Sequence, residues 1–299
     1  MFRRLLLVCL LPLGLLVLGC EENLAERDLF EAPFTLYGVL SPQLDTQAVR
    51  VYPIEDFPTL GTAEPLGATL TSTDLATGEV RTWRDSVLQA PNGQIEHVYW
   101  SRFRPAYDTA YRIDIIRDAD GAHSHATVHV PPRVHMRLLT PDSLKQRILI
   151  ETGDFRALTP RVEYTVGWGE FASDPVLRYF VNYAGLEIKA REGWVVDVNF
   201  GPERRRIENW YLADTGSPPP PRPCPYVGLL DFSLHVIVGD SVWNPPGGLF
   251  DANVVSEPNT LTNIANGFGF IGAGYTLETH LRPSRKAVED ACYYYVWDE

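Results

Sequence analysis

Between residues 35 and 130 the chain is a succession of short runs, each alternating apolar with polar residues or rich in β-branched ones, and each closed by a turn signal. The runs cover 35–40, 48–52, 68–74, 79–87, 95–103, 110–117 and 124–130. A period of two sends successive side chains to opposite faces of a half-buried strand, and no helical period of useful length competes with it. Thr77-Gly78 and Asp120-Gly121 stand where hairpins would turn. Seven short strands at this spacing predict an immunoglobulin- or fibronectin-like β-sandwich over 34–132, without the Cys-Trp-Cys arrangement of antibody domains. Pro131-Pro132 closes that unit.

The rest of the chain, 133–299, reads as a second, mostly antiparallel β domain, so the expected fold class is all-β. Strand-like runs cover 136–139, 147–151, 161–168, 176–183, 186–190, 194–200 and 227–238, and 293–297 makes the last strand. Short helices are expected at 171–177 and 284–290. The proline-rich segment 217–225 supplies almost no amide donors and cannot join a sheet interior, which makes it a surface crossover. Gly267-Phe268-Gly269-Phe270-Ile271-Gly272 matches G-x-G-x-x-G. Dinucleotide binding needs that turn to open a helix, whereas Tyr275-Thr276-Leu277-Glu278-Thr279 follows as a strand. A glycine-punctuated strand with close backbone approach fits better.

The amino terminus sets the location. Arg3-Arg4, an uncharged run over 5–18 and Gly19-Cys20 resemble a lipoprotein export signal, with 1–19 as the leader and 20–33 as a polar tether. That resemblance implies acylation of Cys20 and cleavage after Gly19. Several acyl chains would give the stable anchoring that one chain does not. Losing Arg3 and Arg4 with the leader leaves 24 basic residues against 38 acidic ones, a net charge of −14. Nucleic acid is therefore not an expected partner, because duplexes are held by Lys and Arg on phosphates. Cys9 leaves with the leader and Cys20 is committed to lipid. In an oxidising compartment the remaining Cys224 and Cys292 are expected to form a disulfide.

Chemistry-bearing residues are sparse. If 123–130 is one strand, His123, His125 and His129 share one face of it, and two histidines at i and i+2 can chelate zinc if His135, Glu96 or Asp114 supplies a third ligand. A solvated strand face carrying histidines is the plainer expectation, and neither a metal nor another cofactor is expected. Asp118-Ala119-Asp120-Gly121 opens like a calcium loop but lacks its later ligands, so it reads as a hairpin turn. No G-x-S-x-G elbow is present. Carboxylates such as Glu163 with Glu170 or Asp174 are too abundant to identify a glycosidase pair. Most of the seven tryptophans should fill the cores, while Trp210 and Trp243, each beside loop-like sequence, are expected to be exposed binding residues.

The lipobox, the strand ending Ala126-Thr127-Val128-His129-Val130-Pro131, Ser256-Glu257-Pro258, and Asn263-Ile264-Ala265-Asn266-Gly267-Phe268-Gly269-Phe270-Ile271-Gly272-Ala273 together resemble a family. It comprises lipoproteins of unknown function in Bacteroidota and related phyla. The resemblance implies an outer-membrane lipoprotein, facing the periplasm or the cell surface, often encoded near TonB-dependent receptors, and it supplies no catalytic residues. The expected function is a non-enzymatic binding or accessory module for such a transporter, a glycan or a peptide. The competing expectation is an envelope hydrolase using carboxylates or a histidine-bound metal.

Overall fold

The alternating runs of the first unit are strands in the computed structural model, which describes residues 32–54, 61–89, 93, 95–168, 173–216, 227–243 and 262–297. They are β1 (Phe34–Leu40), β2 (Thr46–Pro53), β3 (Ala68–Asp74), β4 (Val80–Thr82), β5 (Arg84–Gln89), β6 (Ile95–Arg102), β7 (Thr109–Arg117) and β8 (His123–Val130). The order β1-β2-β6-β5 in one sheet and β4-β3-β7-β8 in the other is that of an immunoglobulin-type sandwich. Leu36, Val49, Val51 and Tyr99 from the first sheet and Leu70, Ile113, Ile115 and Val128 from the second fill one core. Near the start of β7 the Tyr111 hydroxyl accepts the Ala106 N–H at 2.9 Å, the tyrosine corner of this architecture. The run 79–87, read as one strand, is two: at Trp83 the chain leaves one sheet for the other, with the indole buried between them.

The second unit has β9 (Met136–Leu138), β10 (Lys145–Ile150), β11 (Arg156–Trp168), β12 (Ser173–Asn182), β13 (Ile188–Lys189), β14 (Trp194–Asn199), β15 (Val227–Gly239), β16 (Phe268–His280) and β17 (Tyr293–Tyr295). A small sheet in the order β13-β14-β10-β9 and the helix α1 (Phe200–Thr215) share a second core with β11, β12 and β15. The expected helix at 284–290 is α2 (Arg285–Asp290), where the Ser284 hydroxyl accepts the Ala287 N–H. The helix expected at 171–177 is not there: β12 begins at Ser173, and pairing with β11 from Leu177 to Asn182 overrides the local signal.

One strand joins the two units. The first half of β16 runs parallel to β1, Thr35 opposite Phe268 through Leu40 opposite Ala273, and the second half pairs antiparallel with β15, Gly239 opposite Gly274 through Ser233 opposite His280. The sheet is therefore continuous from β12 to β5. The segment grouped with the second domain in sequence thus gives Ile264, Ile271 and Ala273 to the first core. Asp240, buried at the end of β15, ties the units again: its Oδ2 accepts the His129 N–H of β8 at 2.6 Å, and its own N–H donates to the Ala273 carbonyl.

The glycine motif is a strand, as its flanks predict. Gly269 has φ +90°, and a Cβ there would lie 2.2 Å from the Leu36 carbonyl oxygen of β1. Glycine is what permits β16 to lie against β1 at that point.

Candidate functional site

Among the described residues, three places on this frame gather chemistry-bearing side chains. The first is the outward face of β7 and β8. Period-two alternation puts His123, His125 and His129 on one face, and the antiparallel register sets Asp114 opposite His125. His123 Nε2 lies 2.7 Å from Asp114 Oδ1, and the Arg112 Nε–H donates to the same oxygen at 2.9 Å. The His123 and His125 rings stack, 5.2 Å between centroids and 22° between planes. Partial burial, followed by Arg112 and His123 nearby, lowers the His125 pKa below its ordinary value and favours neutral imidazole. Asp114 is thus the third group that the sequence required. His135 and Glu96 do not join the cluster. His129 does not join either: its Nε2 is 3.3 Å from Asp108 Oδ1, and its ring meets Phe155 edge-on at 5.1 Å.

The second place lies on the polar face of the long sheet. Register aligns Glu163 of β11 with Ser233 of β15 and His280 of β16, and one step along it aligns His235 with Glu278. Glu163 and His235 are buried, with Glu163 Oε2 2.9 Å from His235 Nε2. Glu278 approaches the other ring nitrogen, Nδ1, at 3.7 Å. Arg178 stands 3.4 Å from Glu163 Oε1, and His280 Nδ1 pairs with Asp231 at 2.8 Å. In the row Arg178, Glu163, His235, Glu278, His280, Asp231, carboxylates alternate with nitrogen-bearing side chains. Sequence singled out Glu163 only with Glu170 and Asp174; Glu170 lies outside the described residues. The partners found, His235 and Glu278, come from distant strands and carry no local signature.

The third place is at the free edge of the sandwich sheet. Arg84 of β5 stands directly opposite Trp100 of β6. Its guanidinium lies over the indole, 5.5 Å from the ring centroid, while the indole N–H donates to Ser86 Oγ at 2.8 Å. Thr82, Arg84, Trp100, Ser101 and Arg102 line a concavity of about 430 Å³. Both arginines and Thr82 are exposed. In a chain of net charge −12, two arginines at one concavity form a local basic site. Nothing local singles out Trp100 among tryptophans expected mostly in the cores, and only the cross-strand register places it beside Arg84.

The two tryptophans proposed as binding residues part ways. Trp210 is exposed, although on α1 rather than in a loop, with Tyr179 5.6 Å and Arg206 5.9 Å from its ring. Trp243 is buried, a correction: its ring packs edge-on against Phe270 at 5.5 Å and lies over Gly272, where a Cβ would come within 2.6 Å of the indole. The absent side chain at 272 opens a slot on the sheet that the loop-like flank of Trp243 does not reveal.

Cys292 sits at φ +66° between α2 and β17 and is disulfide-bonded. Cys20, Cys224 and the proline-rich crossover lie outside the described residues. Among the described residues no helix is long and apolar enough to cross a membrane. No protein-family model matches the chain, and comparison with curated proteins finds no match.

Proposed function

We propose that this chain is an envelope-anchored, non-enzymatic binding module whose ligand site is the Arg84–Trp100–Arg102 concavity, and that it takes a carboxylate-bearing glycan. The observation that carries this is the guanidinium of Arg84 laid over Trp100, with Arg102 beside the same concavity. An arginine stacked on an indole loses little rotamer freedom on binding and keeps its N–H fork for a carboxylate, and hydroxyls from Thr82 and Ser101 suit the neutral part of a sugar. Charge-assisted hydrogen bonds of this kind contribute roughly 1.5–3 kcal/mol each. Titration calorimetry with uronate oligosaccharides should therefore show saturable binding that weakens at least about tenfold in Arg84→Ala and in Arg102→Ala. Neutral oligosaccharides should bind poorly. Uronate binding unchanged by both substitutions, or selective binding of acidic peptides, would reject the assignment.

The anchor belongs to the same proposal. Acylated Cys20 would hold the module at the outer membrane, and the lipoprotein resemblance supports a TonB-dependent receptor as its neighbour. The Cys224–Cys292 pairing would fasten the carboxyl-terminal strand to the end of the proline-rich crossover. Purification from native outer membranes should yield the wild type in the membrane fraction with a receptor co-eluting, and Cys20→Ala in neither. The same material digested without reductant should give Cys224 and Cys292 in one cross-linked peptide. Membrane retention of Cys20→Ala would refute the anchor.

A further inference from the structure

The cluster on the open face of β7 and β8 has a donor set that the proposed glycan site does not use. We propose that Asp114, His123 and His125 form a binding site for a divalent transition ion of zinc's chemical class. One ligand atom from each lies within 4.8 Å of the others. Two imidazole nitrogens and one carboxylate oxygen suit zinc and its first-row neighbours and disfavour calcium or magnesium, which take oxygen ligands. Tetrahedral zinc with bonds of about 2.0 Å holds its ligand atoms about 3.3 Å apart. His123 Nε2 and Asp114 Oδ1, now at 2.7 Å, need only a small side-chain rotation to admit the ion between them.

The scaffold under these ligands is held from both directions. The His125 N–H donates to the Ala265 carbonyl at 3.1 Å, and the Ala265 N–H returns a bond to the His125 carbonyl at 2.7 Å. The Asn266 amide donates to the His123 carbonyl at 2.8 Å, and Ser124 Oγ donates to the Asn266 carbonyl at 2.5 Å. The strand carrying both histidines is thereby fixed to the segment leading into β16. Arg112 orients the carboxylate as an outer partner of the metal site, and its charge tempers affinity. The His123 side chain is 36% exposed and that of Asp114 16%, so an ion reaches the site from solvent, and three protein ligands leave a coordination position open.

The Glu163–His235–Glu278 cluster is the poorer cage. Its carboxylates face opposite nitrogens of one imidazole, and Arg178 already supplies a cation to Glu163.

The test is zinc titration of the mature protein after treatment with a chelator, followed by calorimetry and, with cobalt(II), by visible absorption. One equivalent should bind, with cobalt giving ligand-field bands, and binding should weaken at least about tenfold in His125→Ala and in Asp114→Asn. Glu163→Gln should bind as the wild type does. Absence of saturable binding, or wild-type binding by His125→Ala, would overturn the site, as would loss of binding in Glu163→Gln alone. If the alanine variant fails to fold, ring NMR signals of the wild type decide: zinc must shift those of His123 and His125 and leave those of His129 and His280 in place.

Discussion

Gly269→Ala should destabilise the protein by at least about 3 kcal/mol, the largest loss expected from adding a single methyl group at this sheet junction. Two costs combine. At φ +90° an L-residue is strained by about 1–2 kcal/mol. In addition, the new Cβ would sit 2.2 Å from the Leu36 carbonyl oxygen and 3.0 Å from its carbonyl carbon. These are backbone atoms of β1, so no side chain can rotate away; the strands must separate instead. The parallel pairing of Leu36 with Gly269 is one step inside the start of the β1–β16 ladder, and Ile271 and Ala273 of the same strand enter the sandwich core. Displacement there loosens both the ladder and the packing behind it. Gly78→Ala is the control, since it has φ +75° in the β3–β4 turn with nothing within 4 Å of its added Cβ. It should show the dihedral strain alone. Urea unfolding of the two variants side by side measures the difference, and equal losses would show that close approach of β1 plays no part.

Local alternation carried most of this fold because each half-buried strand writes its own period. Residues 68–74 and 95–103 show it, ending as β3 and β6. Alternation fails where the chain changes partners without changing period. Residues 79–87 keep one pattern through Trp83 while passing from the β3 sheet to the β6 sheet, and no local signal marks that passage. α1 escapes the local pattern for another reason. Its buried positions Phe200, Glu203, Ile207 and Tyr211 have helical spacing, yet one of the four is a carboxylate and the helix opens with Gly201-Pro202. The capping signals were present, with Asn199 accepting the Gly201 N–H and Gly216 in the left-handed conformation at the far end.

The candidate sites divide by sequence distance in the same way. The histidine face of β8 follows from its period, and Asp114 needed only a hairpin register. The Arg84–Trp100 stack also depends on register, but the aromatic content of a sandwich made core the natural reading for Trp100. Glu163 meets His235 across 72 residues, and only tertiary pairing of β11 with β15 brings them together. Side chains whose partners arrive by strand pairing are invisible to motif reading, however strong their eventual interaction.

The carboxylate inside α1 also makes stability depend on pH. Glu203 faces Tyr164 of β11, whose hydroxyl donates to its Oε2; the Asn199 N–H, Arg206 and the buried ring of Tyr293 from β17 complete its surroundings. Burial outweighs these donors and the arginine, and raises the Glu203 pKa from 4.5 to about 7. The native state therefore holds this proton more tightly than the unfolded chain does. The contribution of Glu203 to stability is fully present below about pH 4.5, falls as pH rises through the interval to 7, and is flat above it. A displacement of this size corresponds to about 3 kcal/mol. Glu203→Gln keeps an acceptor for the Tyr164 hydroxyl and carries no charge, so it should gain on the wild type by roughly that amount between pH 4.5 and pH 8. Urea midpoints of both proteins across this range isolate the group, because the other titrating residues are common to both. Parallel curves would mean that Glu203 ionises normally in the fold and that its burial is relieved by solvent. Convergence at low pH and separation above neutrality would identify α1 as the element whose packing the proton controls.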